Sequence, residues 1–251
     1  MSKWALITGA SAGIGEATAH ELAKQGFSLL LLARRKDRLE KIKKSIQDQF
    51  SVQVVTEAVD ICDSKSVEAF VKTHAATLKA VEVLVNNAGL AIGADKLQDG
   101  KMSDWEVMFD TNVKGLLRIT REILPSFVAN QRGHVVNLGS VAGRWVYQGG
   151  AVYSATKFAV RALSEGMRMD LIGTGVRVTN IEPGMVNTEF SLVRWNDQAK
   201  ADQVYAGMKP LTANDIAETI AWVVSRPAHV NIQELVIYPT DQASIRDVYR
   251  R

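Results

Sequence analysis

Two hydrophobic periods alternate along the chain. Short apolar runs bounded by turn residues read as buried strands, and apolar residues three and four apart read as helices with one buried face. Residues 4–8, ending in Leu6, Ile7 and Thr8, form the first expected strand. A helix follows Gly13, with Ile14, Ala17, Leu22 and Ala23 near helical spacing, and Gly26 closes it. The apolar run at 27–33 predicts a strand, the charged stretch 36–49 (Leu39, Ile42, Ile46) a helix, and 51–59 a third strand. Residues 64–77, with Val67, Phe70 and Val71 on one face, read as helix, and 81–86 as strand four. A long helix is expected from Ser103, where Ser103 and Glu106 have capping-box spacing. Its buried face would hold Trp105, Met108, Phe109, Val113, Leu116 and Leu117. A strand at 134–138, a helix at 153–171, a strand at 176–181, a helix at 212–225 and a strand at 235–238 complete the pattern.

This alternation predicts an α/β chain folded as one doubly wound domain over residues 1–251. Its sheet would be seven-stranded and mostly parallel, with helices on both faces. Ligands of such sheets sit beyond the carboxyl ends of the strands. Chemistry is therefore expected just after Thr8, Ala33, Val59, Asn86, Leu138 and Ile181.

Composition narrows the function without choosing it. Hydrophobic residues make up 47% and charged residues 23%, the balance of a soluble globular protein. The apolar run Leu29 to Ala33, with Phe27 just before it, is too short to cross a membrane. The N-terminal residues Met1 to Gly9 lack the apolar length of a secretion signal. Cys62 is the only cysteine, so no intrachain disulfide can form, and a reducing cytoplasm is expected. The net charge is +3. Basic residues between Arg34 and Lys44 are broken by Asp37 and Glu40 and carry no interleaved aromatics, so they read as a solvated helix face and not as a nucleic-acid patch. His20, His74, His134 and His229 lack partners at ligand spacing; no metal site is expected, and His229 reads as a loop residue.

The strand ends carry the candidate chemistry. After the first strand, Gly9, Ser11, Gly13, Ile14 and Gly15 fall in a glycine-punctuated turn that opens a helix. Such a turn lets the backbone approach a pyrophosphate, and the helix N-terminus adds free N–H groups and positive dipole; a tight turn with no ligand is the plain alternative. At the end of strand two, an NAD site would place an acid on the ribose. Here Ala33 is followed by Arg34 and Arg35, and guanidinium groups suit the 2′-phosphate of NADP. Both arginines could also simply belong to the exposed face of the next helix. Asp60, after strand three, can accept from an adenine amino group, with Ile61 beside it. Asn86, Asn87, Ala88 and Gly89 follow strand four, where small residues let the backbone pass close to a cofactor.

Tyr153 and Lys157 are four apart at the start of a helix and share a face. A free phenol has a pKa near ~10 and is a poor base at neutral pH. A nearby ammonium, or the positive ring of an oxidised nicotinamide, favours the phenolate and makes it a usable acid/base. Ser140 directly follows strand five and can hold a substrate oxygen, and Asn112 sits in mid-helix, where Asn is disfavoured. A Tyr/Lys pair alone arises by chance; four such positions falling together do not.

These motifs resemble the short-chain dehydrogenases/reductases over nearly the whole chain. The motifs are the run from Thr8 to Gly15, Asn86 to Gly89, Asn112, Ser140, Tyr153 to Lys157, and Pro183 with Gly184. The resemblance implies a Rossmann-type domain binding NADP(H). It implies that Ser140 orients the carbonyl, Tyr153 is the proton donor and acceptor, Lys157 also binds the nicotinamide ribose, and Asn112 holds a water relay. It also implies cofactor contacts from Pro183, Gly184, Val186 and Thr188. Ala12 departs from NADP-using members that carry a basic residue there, which leaves discrimination to Arg34 and Arg35. The runs 87–91, 181–194 and 227–232 are similar to NADP-dependent 3-hydroxy acid dehydrogenases and sulfoacetaldehyde reductases.

The segment 188–210 is expected to lie over the substrate, with Arg194 as ligand for a carboxylate or sulfonate and Arg144 as a second candidate. Trp145 and Tyr147 are expected as pocket walls, although core packing explains either as well. The expected partners are a small acidic substrate and, by resemblance, three further copies of the chain in a homotetramer. A broad reductase of neutral aldehydes or diketones and a regulatory protein that binds NADP without turnover are the rival readings. The intact Ser140, Tyr153 and Lys157 set argues against the second.

Overall fold

The computed structural model describes residues 3–251; Met1 and Ser2, where the N-terminal reading begins, lie outside the described residues. Seven strands form the main sheet: β1 (Trp4–Thr8), β2 (Ser28–Ala33), β3 (Val54–Ala58), β4 (Val81–Asn86), β5 (Gly133–Leu138), β6 (Val176–Pro183) and β9 (Glu234–Ile237). All are parallel, in the order β3-β2-β1-β4-β5-β6-β9. The order reverses between β1 and β4, which opens the crevice where doubly wound sheets bind ligands.

The pleat sorts side chains by parity. Ala5 and Ile7 of β1, with Leu29 and Leu31 of β2, join one core with α1 (Gly13–Lys24), α2 (Lys36–Gln49) and α9 (Ala213–Val224). Leu6, Leu30 and Leu32 join the other with α3 (Ser64–Leu78), α5 (Leu116–Ala129) and α6 (Ala151–Asp170). Every residue of β1, β2 and β5 is buried, as expected of strands covered on both faces.

Two expectations change. The helix expected from Ser103 is α4 (Met102–Phe109), then a π-helical turn at Asp110–Gly115, then α5. Ser103 and Glu106 do not cap it, because the helix starts one residue earlier, at Met102, with Lys101 as its uncapped boundary. A capping box does form at α9, where the Thr212 and Asp215 side chains and backbone N–H groups satisfy each other. The segment expected as a substrate loop is structured. It holds α7 (Phe190–Trp195) and α8 (Gln198–Tyr205) and is flanked by β7 (Val186–Asn187) and β8 (Leu211–Thr212), which pair with each other.

Candidate active site

A cavity of about 710 Å³ opens along the carboxyl edge of the sheet. Its first part is shaped by backbone. Gly9 and Gly13 adopt φ of +64° and +56°, open to glycine without strain. A Cβ on Gly9 would also lie 2.8 Å from Ala88 Cα, so the turn after β1 and the loop after β4 touch. Asn87 fastens them, its Nδ2 donating to the carbonyls of Thr8 and Gly9, while Thr8 Oγ1 accepts from the N–H groups of Asn87 and Ala88. Ala12 caps α1 without any side-chain hydrogen bond, which leaves the first N–H groups of that helix for a ligand. Gly9, Ser11, Gly13, Ile14, Asp60, Ile61, Asn87, Ala88 and Gly89 all line the cavity. Gly15 does not; a Cβ there would strike Gly9 O at 2.4 Å, so it is a packing glycine of the turn.

Cations gather at the far end. Arg34 and Arg35 line the cavity beyond β2, and Arg35 donates from Nε and Nη2 to Ser11 Oγ at 3.2 Å. Arg38, one turn further along α2, does not stand out in the sequence; its spacing of three from Arg35 is the signal that could have found it.

The central side chains are buried and cross-linked. The widened π turn aims Asn112 at the loop after β4: Oδ1 accepts from Leu90 N and Nδ2 donates to Leu90 O, both at 2.8 Å, with a further bond to Thr156 Oγ1. Asn112 therefore holds the site together without lining the cavity. Lys157 Nζ donates to Leu138 O at 2.7 Å and lies 5.9 Å from the Tyr153 ring centre. Burial pushes its pKa down to about 8. Burial also pushes the Tyr153 phenol well above its ordinary range, and Ser140 and the Arg194 charge pull the other way. The Lys157 ammonium donates to Leu138 O and makes no hydrogen bond to the Tyr153 phenol.

The substrate end holds Ser140, Tyr147 and Arg194 along one stretch of wall. Arg194 donates from Nη1 to Tyr147 Oη at 2.8 Å and from Nε to Gly93 O at 2.9 Å, and its Cζ lies 5.5 Å from both the Tyr147 and Trp195 ring centres. Among the described residues it has no carboxylate partner. Phe190 packs on Tyr153 with ring centres 5.7 Å apart. Pro183, Gly184, Val186 and Thr188 line the remaining wall.

Arg144 and Trp145 are not where expected. Arg144 pairs with Glu182, which is fully buried, and with Glu234, away from the cavity. A buried carboxylate requires a cation, so Arg144 is already committed and links the loop after β5 to the end of β6. Trp145 is 49% exposed and lines no part of the cavity. Gln242 escapes the sequence reading, and Glu189, Phe190 and Tyr205 fall inside the segment expected over the substrate without being singled out there: Tyr205 Oη donates to Val186 O, and Gln242 Oε1 accepts from Met185 N. No three His, Cys, Asp or Glu side chains among the described residues are grouped to hold a metal. His134 is a neutral core group, its pKa pushed down to about 3 by burial.

The family profile described as short chain dehydrogenase matches residues 3–199. The chain belongs to the short-chain dehydrogenase family. Among its relatives, sulfoacetaldehyde reductase 2 of Chromohalobacter salexigens is 44% identical over 97% of this chain and 96% of its own length. The NADP-dependent 3-hydroxy acid dehydrogenase YdfG of Salmonella typhi is 44% identical over 95% of each chain. The closed form of a serine dehydrogenase complexed with NADP+ superposes with a TM-score of 0.91 at 41% identity, covering 99% of this chain and all of the other. Tyr153 and Lys157 are buried, and with the partly buried Ser140 they face the same cavity.

Proposed function

We propose that this chain is an NADP(H)-dependent oxidoreductase of small acidic alcohols and carbonyls. Its substrates would be 3-hydroxy acids such as serine, allo-threonine or 3-hydroxypropionate, with malonic semialdehyde as the last one's oxidised partner, or the sulfonate pair isethionate and sulfoacetaldehyde. One observation carries the acidic preference: Arg194 stands on the cavity wall near Tyr153, with no carboxylate partner among the described residues. An unneutralised guanidinium in a partly enclosed cleft favours an anion.

The donor set fits the cofactor. Glycine backbone, the open N-terminus of α1 and a cationic end at Arg34 and Arg35 suit a dinucleotide bearing a 2′-phosphate. Bound nicotinamide supplies the two-electron step, taking a hydride from the carbinol carbon or returning it. Ser140 orients the substrate oxygen. Tyr153 takes the hydroxyl proton during oxidation and gives it back during reduction. Lys157, charged below about pH 8, supports the ribose side of the site.

Assembly and location belong to the same reading. Val107 and Phe109 of α4, Leu117 and Val128 of α5, and Phe158 and Met169 of α6 are exposed, which supports helix pairing in a homotetramer. No helix among the described residues is long and apolar enough to cross a membrane. A single cysteine suits the reducing cytoplasm. The decisive experiment is a panel of 3-hydroxy acids, isethionate, sulfoacetaldehyde and malonic semialdehyde against neutral aldehydes and diketones, each with NADP(H) and NAD(H). Equal efficiency on acidic and neutral members would overturn the acidic preference.

A further inference from the structure

Two successive residues of the segment after β7 reach across the cleft to its nucleotide half. Thr188 lies against the turn after β1, so that a Cβ on Gly13 would sit 3.3 Å from Thr188 Cβ. Glu189 then bridges two arginines: Oε2 accepts from Arg35 Nη1 at 3.0 Å, and Oε1 accepts from Arg38 Nη1 at 2.6 Å. These bonds join parts of the chain 154 and 151 residues apart. Gly13, Arg35, Thr188 and Glu189 all line the cavity, which runs on to Arg34 at one end and to Ser140 at the other. A ligand reaching from Arg34 to Ser140 has to pass this crossing.

The crossing can open. The side chains of Arg35, Arg38 and Glu189 are 43%, 40% and 42% exposed, so neither ion pair is locked by packing. Exposed pairs are individually weak, and the energy to part them is small. The crossing is also tied to the reacting centre, because the next residue, Phe190, packs on Tyr153.

We propose that Glu189 is a clasp: its pairing with Arg35 and Arg38 across the cleft retains the bound dinucleotide, and its release sets how fast the cofactor leaves. The inference rests on the NADP(H) reading above. It differs from a competitive role, in which the carboxylate would vie with a 2′-phosphate for the same guanidinium groups. A clasp slows the departure of any dinucleotide beneath it, whereas a competitor weakens only the phosphorylated one. When cofactor release limits turnover, opening the clasp raises kcat.

The test is displacement kinetics on the full chain, followed by the fluorescence of bound NADPH and, separately, NADH. Glu189→Gln is expected to speed dissociation of both by a common factor of about three to ten, the loss of two exposed ion pairs. Arg38→Gln should speed NADH release by a smaller factor, because the Arg35–Glu189 pair remains and NADH has no 2′-phosphate for Arg38 to contact. The double variant should be no faster than Glu189→Gln, since the pair that Arg38→Gln removes is one that Glu189→Gln has already lost. Added salt should quicken NADH release from the unmodified chain more than from Glu189→Gln, which has already lost the clasp. Unchanged or slower dissociation in Glu189→Gln, or an acceleration confined to NADPH, overturns the clasp while leaving the cofactor reading intact. An unmodified chain that binds neither dinucleotide overturns that reading and the clasp with it.

Discussion

The floor of the cavity and its roof are built by different means. The floor, from β4, β5 and α6, is buried and tied by polar bonds. Asn86 Nδ2 bonds Thr120 Oγ1 and Asn137 Oδ1, Asn137 Nδ2 bonds Ser164 Oγ, and Asn112 joins Leu90 to Thr156. The roof, α7 and α8, rests on a few partly exposed contacts: Glu189 to its two arginines, Arg194 to Tyr147 and Gly93, and Tyr205 to Val186 and Ser191. Groups that must stay fixed during proton transfer lie where packing leaves one arrangement. Groups that must admit and release ligands lie where parting costs little. Changes in the floor should therefore alter the rate of chemistry, and changes in the roof should alter what binds and how fast it leaves.

The largest expected effect is in the floor. Tyr153→Phe keeps the ring against Phe190 and removes the proton, so kcat should fall by ~100-fold or more. NADPH affinity, measured by titration, should hold. A near-native rate would show that another group carries the proton.

Lys157 tests the floor through stability. Its folded pKa of about 8 lies below the ordinary 10.5, so between those values the unfolded chain keeps a proton that the folded chain has released. Stability from this group is complete above pH 10.5 and is lost as pH falls toward 8. As pH rises across that window, the unmodified chain should therefore gain up to ~3–4 kcal/mol relative to Lys157→Met, at roughly 1.4 kcal/mol for each tenfold change in proton affinity. Denaturant melts of both chains at several pH values measure it. Parallel curves would mean that water reaches the ammonium.

How much is legible in the sequence follows the same division. β1 and β4 are legible to the residue because apolar runs bounded by polar turns leave little choice, and the floor residues stand out because Ser140, Tyr153 and Lys157 sit at fixed points after β5 and along α6. The π turn is not legible: periodicity continues through Asp110–Gly115, and only the odd placement of Asn112 hints at it. Arg144 misleads because its partner Glu182 is 38 residues away, and burial of that carboxylate is a property of the fold. Arg38 and Glu189 stay hidden for the same reason: their pairing spans the domain. Local motifs report local chemistry, and ion pairs between distant segments need the coordinates.

Cofactor choice lies at the border of the two regions. Arg34 and Arg35 line the cavity beyond β2, and no carboxylate precedes Asp37 there. A phosphate–guanidinium contact contributes ~1.5–3 kcal/mol, tens-fold in affinity. The double change Arg34→Asp, Arg35→Ala should cost most NADP use and leave NAD use nearly unchanged, read as the ratio of kcat/KM values. Equal efficiency with both cofactors in the unmodified chain would remove the role given to these arginines. Because Arg35 also holds Glu189, the single change Arg34→Asp is the cleaner probe of the phosphate and should by itself lower the ratio about tenfold or more.

The smallest expected effect tests the roof alone. Arg194 is positioned by Tyr147 Oη and Gly93 O, bonds that hold the guanidinium on the cavity wall without neutralising it. A substrate carboxylate or sulfonate meeting it gains a charge-assisted bond that a neutral aldehyde cannot make. Partial exposure weakens that gain, so Arg194→Met should raise KM for an acidic substrate by about tenfold, corresponding to ~1.4 kcal/mol. A neutral aldehyde of similar size should see little change in KM, and the loss of the Arg194 charge near Tyr153 should lower kcat only slightly and equally for both. Methionine retains the aliphatic bulk beneath Trp195 and removes only the charge and its donors. If both substrates suffer equally, Arg194 serves to fix Tyr147 and α7 over the cavity, and the acidic preference loses its physical basis. A large fall in kcat for both would mean that the roof reaches the chemistry, through the Arg194 charge on Tyr153 or through Phe190, and the division between floor and roof would fail there.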